Sequence, residues 1–413
     1  MAEEKRTALV GGNLIDGSGR PPLAEATVIV RGRLIEKVGR KDAVPIPPQC
    51  EVVDVAGKTV MPGLFDCHTH ISVATMSIEK RLHTPQTVAT FQTATFLRRM
   101  LHAGFTTIRD AGSLGDVGFR QALALGLIEG PRLVIAGAIG QTGGHMDEYY
   151  PRGLAVPLMN ARICDGLPDV QKTARRVLRE GFDFIKVCTS GGVASPADSP
   201  EYTEWTMEEL RALVYEAAAR GKAVMAHAEG TQGIKNAIRA GVWSIEHGSM
   251  LDDEAIAMLL DSGTYLVPTL FVGAEIVERG REMGLTPLAL AKAERWAEVH
   301  FKSFQRAAAA GVRIALGTDC IDDSMHGRNA RELQLMVQHG LSPAQAIVAA
   351  TKTAAEVCRV DDKVGTLEPG KLADLLVVDG DPLADIAVLG DSSRLHLVMK
   401  EGVSHVDRLA AGR

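Results

Sequence analysis

Over the first sixty residues the apolar positions come in short β-branched runs broken by glycines: "TALVGGNLIDGSG", "ATVIVRGRLIEKVG" and "CEVVDVAGKTVMPG". Such runs predict strands, and "NLIDGSG" and "VRGRLIEKVG" predict hairpins. The same style returns over the last fifty residues, in "GTLEPGKLADLLVVDGDPL" and "RLHLVMKEGVSHVDRL". Between these ends the period changes. Short apolar runs alternate with stretches of helical period such as "TPQTVATFQTATFLRRMLHAG" and "TMEELRALVYEAAARG". Eight apolar runs follow in series, ending near His70, Gly112, Gly140, Gly192, Gly230, Ser249, Leu270 and Asp319. Even the short interval between His227 and His247 holds a compact helical stretch, "TQGIKNAIRAG". Eight β–α units predict an α/β fold, a (β/α)8 TIM-like barrel over residues 61–360. Residues 1–60 and 361–413 are expected to pair into one small β-sandwich domain at its flank.

Composition narrows the function more than the fold. The 413 residues are 46% hydrophobic and 23% charged, enough for the core of an enzyme scaffold. A net charge of −6 without long runs argues against nucleic acid or an anionic membrane as partner. No apolar window approaches the length of about 18 residues that a membrane span needs. The start, "MAEEKRTALVGG", lacks the apolar core of a signal peptide, so a cytoplasmic protein is expected. The cysteines at 50, 67, 164, 188, 320 and 358 form no CxxC pair and read as free thiols.

In a barrel of this kind the strand C-termini converge on one mouth. Six potential metal ligands fall at those ends: His68, His70, Lys186, His227, His247 and Asp319. His68 and His70 are two apart, so alternation along a strand aims both imidazoles at the mouth. Cys67 and Thr69 would then face the helices. His83, His102, His300, His339, His396 and His405 lie on helical or terminal segments and read as ordinary hydrogen-bonded histidines. Lys186 sits in the apolar run "FDFIKVCTS", where an ammonium is costly. Two readings are open for it: a buried ion pair with Asp319 or Asp110, or a carbamate formed with CO2.

"GLFDCHTH", "FIKVCTSGG", "AHAEG", "EHGS" and "GTDC", in that order on successive strands, resemble the amidohydrolase superfamily. "GGNLIDGSG" and "GTLEPGKLADLLVVDGDPL" extend the resemblance to both ends. "GGHMDEYY", "KVCTSGGVASPADSP" and "DDSMHGRNARELQLMV" resemble its branch of Xaa-Pro dipeptidases and Xaa-Arg or Xaa-Lys carboxypeptidases, with an ochratoxin-type amidase among the relatives. The resemblance implies two divalent metal ions, most often zinc. His68, His70 and Asp319 would hold the more buried ion and His227 and His247 the other, with carboxylated Lys186 and a hydroxide bridging them. It also implies that the hydroxide attacks an amide carbonyl, that His145 donates to the carbonyl oxygen, and that Asp319 moves the proton to the leaving nitrogen. For His145 a plain loop histidine is the other reading.

Substrate contacts are expected from Arg328 in "MHGRNAREL" and from Tyr149, Tyr150 or Arg152, which could meet a carboxylate. Dipeptidases of this branch often carry Tyr two residues after the fifth-strand histidine. Glu229 stands there instead, which favours a cationic or amide-bearing substrate or a non-peptide amide. The expected partner is thus a small dipeptide or amide, including N-acyl amino acids and carbamates. A deaminase on the same scaffold would use one metal and lack the strand-four lysine, and a non-catalytic assembly protein would lose ligands. All six are present. The resemblance further carries the expectation of a homo-oligomer. The amphipathic stretch "LTPLALAKAERWAEVHFKSFQRAAAAG" reads as a helix packed on the barrel.

Overall fold

A computed structural model describes residues 5–148, 161–193, 195 and 198–409. Two sheets organise them. The first contains seven parallel strands in chain order: Leu64–Thr69, Phe105–Asp110, Arg132–Gly140, Phe184–Cys188, Ala223–Ala228, Ser244–His247 and Tyr265–Val267. A short strand, Arg162–Ile163, adds to the end of Arg132–Gly140. The eighth expected run does not form a continuous ladder. It closes the ring through two parallel bridges, Leu266 to Ile314 and Thr69 to Cys320. The chain leaves regular strand geometry here and takes a positive φ of 53° at Asp319.

Inside the ring the barrel is filled by side chains from facing strands, including Phe65, Phe184, Met225 and Val267. Cys67 belongs to this interior group, which corrects the expectation that it faces the helices. Its sulfur lies 3.8 Å from Cys358 Sγ, on the helix Lys352–Cys358. The ladder slips register between Asp66 and Thr69, so strict alternation fails within the His-Thr-His turn. Burial pushes the Cys67 thiol far up, which removes it as a nucleophile.

The second sheet joins the two ends of the chain. Its order runs Val403–Asp407, Leu395–Lys400, Leu375–Val378, Thr59–Pro62, Arg6–Leu14, Leu23–Arg31 and Leu34–Arg40, with Glu51–Asp54 also on Arg6–Leu14. Both expected hairpins are present as antiparallel pairs. Thr59–Pro62 passes into the first barrel strand through Gly63 alone. A Cβ there would stand 2.2 Å from Thr106 Oγ1, so only glycine lets the strands approach. The six cysteines are all free, and no described helix is long and apolar enough to cross a membrane.

Candidate metal centre and cleft

Four imidazoles and one amine meet where the strands end. Ring centroids of His68 and His247 are 5.0 Å apart, those of His227 and His247 4.6 Å, and those of His68 and His70 5.6 Å. Each of these imidazoles is held by one ring nitrogen. His68 Nδ1 donates to Glu246 Oε2 at 2.8 Å and His70 Nδ1 to Gly112 O at 3.2 Å. His247 Nδ1 is bonded to Thr269 Oγ1 at 2.6 Å. Carboxylate and carbonyl oxygens only accept, so the Nε2 atoms of His68 and His70 carry the lone pairs. His227 presents the opposite nitrogen, because its Nε2 donates to Gly191 O at 3.2 Å. Such bonds fix tautomer and ring orientation before a cation arrives.

Burial pushes His68, His227 and His247 well below the ordinary imidazole value and His70 to about 3. All four are therefore neutral at pH 7, the form that ligates metal. His68, His70 and Asp319 offer ligand atoms that lie within 4.8 Å of one another. Asp319 Oδ1 is buried without a hydrogen-bond partner, 3.4 Å from His70 Nε2 and 3.7 Å from His68 Nε2. Burial lifts its carboxyl to about 7, although Lys186 pulls the other way. An orphaned carboxylate oxygen facing two imidazole lone pairs fits a divalent cation. His247 and Asp319 both hold positive φ, 71° and 53°, strain that the surrounding packing sustains at the site.

Lys186 Nζ contacts His68 Nε2 at 3.4 Å, and among the described residues it forms no ion pair with Asp319 or Asp110. Burial lowers its amine below the ordinary lysine value despite Glu246 nearby. Glu246 also takes Arg109 at 2.9 and 3.0 Å, so a fully buried guanidinium braces the acid that orients His68.

Above this floor opens a cleft of about 1120 Å3, its mouth included. His145 and Glu229 line it. His145 Nδ1 is 2.7 Å from Asp198 Oδ2, and its ring stacks on His227 with centroids 4.5 Å apart. Burial alone would lower the His145 pKa, but Asp198 outweighs it and holds the imidazole above its ordinary value. Glu229 Oε1 accepts from Val193 N at 3.0 Å and Oε2 from Ser249 at 3.3 Å, while burial raises its pKa.

Arg328 does not line the cleft, and this corrects its expected place. Its guanidinium grips Glu275 at 2.9 and 3.2 Å and lies over Phe271. Tyr149, Tyr150 and Arg152 fall outside the described residues. Several wall residues were missed by sequence reasoning. The helix Pro287–Ala310 contributes Ala293, Trp296 and Ala297, and Arg81 enters from the helix Ile78–His83. His300, read as an ordinary histidine, also lines the cleft and donates to His247 O at 3.2 Å. Only Glu246 had a signal to offer, as an acid beside a ligand in a buried strand.

A parallel barrel that gathers neutral imidazoles, an acid and a buried amine at its strand ends defines a class: barrel hydrolases that work with bound metal ions. Residues 59–404 match the model of the amidohydrolase family, to which the chain belongs. It is 34% identical to ochratoxinase of Aspergillus niger, over 97% of this chain and 86% of that protein. A prolidase solved with N-methylphosphonate-L-proline superposes with TM-score 0.91 at 36% identity, covering 97% and 99% of the two chains. A Xaa-Pro dipeptidase with bound methionine gives 0.87 at 32%, also covering 97% and 99%. The chain is a hydrolase of amide bonds.

Proposed function

We propose that the chain hydrolyses a small amide, a dipeptide or an N-acyl amino acid, with two divalent metal ions, His68, His70 and Asp319 holding one and His227 and His247 the other. The observation that carries this is the orphaned Asp319 oxygen amid neutral, pre-oriented imidazoles. A lowered amine at Lys186 supports carboxylation, in which the nitrogen lone pair attacks CO2 and a proton leaves, and the carbamate would offer an anionic oxygen to a metal ion. When bound, the metal pair supplies an acidified water and polarises the amide carbonyl. Zinc is the expected ion, though the donor set also suits Mn, Co or Fe.

The side chains do the rest. Asp319 takes the proton of the attacking water and passes it to the departing nitrogen. His145, held by Asp198, donates to the carbonyl oxygen as it gains charge. Glu229, Arg81 and the apolar wall with Trp296 select the substrate. A dipeptide would offer its ammonium to Glu229 and its carboxylate to Arg81. An ochratoxin-like N-acyl amino acid would lean on the apolar wall and leave Glu229 to its two present donors.

Metal-loaded and chelated protein should be screened on dipeptides, N-acyl amino acids and aryl amides or carbamates. Turnover that vanishes on chelation and returns with metal is expected. Full turnover by the chelated protein would end the proposal. Glu229→Gln should raise KM for free dipeptides and leave their N-acetylated counterparts unchanged if dipeptides are the substrates.

A further inference from the structure

The loop after the fourth barrel strand carries Asp198, the partner of His145. It is held from a distance by one lysine on the helix that walls the cleft. Lys292 Nζ donates to the carbonyl oxygens of Gly192 at 2.8 Å, Ser195 at 2.7 Å and Asp198 at 3.0 Å. An ammonium has three donors, so these three acceptors saturate it. Asp198 Oδ1, 3.6 Å away, adds the opposite charge. The side chain is only 13% exposed, which makes the tie a buried one.

What the tie fixes is specific. Asp198 Oδ2 accepts from Gly192 N at 3.2 Å as well as meeting His145 Nδ1. Val193 N donates to Glu229. At Gly191 and Gly192 the backbone is closely packed. A Cβ on Gly192 would stand 2.4 Å from His145 Cε1, and one on Gly191 would stand 2.3 Å from Ser199 O. Ala293, the next residue on the helix, lines the cleft, as does Trp296 one turn on.

We infer that Lys292 is a positioning residue for amide cleavage: it ties the helix that walls the cleft to the loop that places His145 through Asp198. This rests on the reading of His145 as donor to the carbonyl oxygen. Lys292 acts through His145, so its effect on turnover depends on His145 being there.

The test is a double-mutant cycle on the metal-loaded enzyme with a substrate found in the screen, metal content being measured for every variant. Lys292→Met is expected to lower kcat about tenfold to hundredfold, the cost of a misplaced group, with metal content unchanged. In a His145→Ala background the same change should move kcat by less than about twofold. An equal loss in both backgrounds, wild-type kcat in Lys292→Met, or loss of bound metal would overturn the inference. His145→Ala with wild-type kcat would overturn the reading of His145 as well, which separates the two failures. Hydrogen exchange gives a readout that needs no substrate. The Gly192 and Val193 amides should exchange faster in Lys292→Met, and unchanged exchange would also overturn the tie.

Discussion

The floor of the cleft is made by strand ends, and its wall by loops and helices. Floor residues are fixed by backbone that the barrel itself holds: His68 on the first strand, Lys186 on the fourth, His227 on the fifth, His247 on the sixth. Wall residues reach the same space from segments with no common register, such as Arg81 and Trp296. The strand ladder fixes where these side chains stand, while a helix laid across the mouth sets shape and polarity. The cluster on the floor and the apolar wall are thus built from different parts of the chain, and they meet at His145, whose loop Lys292 ties to the wall helix.

The largest effect should come from the floor. Asp319→Asn is expected to lower kcat by roughly 10^2–10^4 with KM changed far less, because the lost group acts on the proton in transit. A matching rise in KM would show that Asp319 serves binding instead. The wall should behave in the opposite way. Trp296→Ala should raise KM about tenfold for an apolar substrate, ~1.4 kcal/mol, and leave kcat nearly unchanged. If kcat fell as much as KM rose, the division between floor and wall would not hold.

Arg328→Ala sharpens the boundary of the wall. Steady-state kinetics should be those of the wild type, with a stability loss of about 1 kcal/mol from removing the half-exposed guanidinium, since the buried Glu275 keeps Arg279. A raised KM would restore Arg328 to the substrate's path. The smallest effect concerns neither region. Burial pushes the Glu129 carboxyl up, but hydrogen bonds from His405 and His102 outweigh it and hold it below the ordinary value. A depressed acid stabilises the fold above its unfolded pKa of about 4.3, and that share is lost as pH falls through the folded value. Between pH 5 and 3 the wild-type melting temperature should therefore drop slightly further than that of Glu129→Gln.

The floor was legible in the sequence because strand ends leave a periodic trace. His68 and His70, Lys186, His227, His247 and Asp319 each close an apolar run, and the fold brings them to one place. The alternation rule worked for the histidines and failed for Cys67, where the register slips between Asp66 and Thr69. No sequence period reports such a slip. Arg328 failed for another reason. Its position after the eighth strand was right for a substrate contact, but Glu275, on the helix Leu270–Met283, claims the guanidinium. Lys292, Asp198 and Trp296 left no signal, because long-range contacts between a loop and a helix face follow no spacing. The eighth run was recognisable from "VRIALGTD" although it forms bridges instead of a ladder.

The strand Thr59–Pro62 pairs with Leu375–Val378, Met61 lying opposite Leu376. During synthesis the early strands must wait until nearly the whole barrel has left the ribosome before this seam can zip. Pro62 and Gly63 lead into the strand Leu64–Thr69 that carries His68, so the anchoring of this strand is completed by one of the last segments made. Removing residues 375–409 should therefore cost more than a flanking sheet. The shortened chain should bind less metal than the full one, a long-range debt incurred because two distant parts of the chain share one seam.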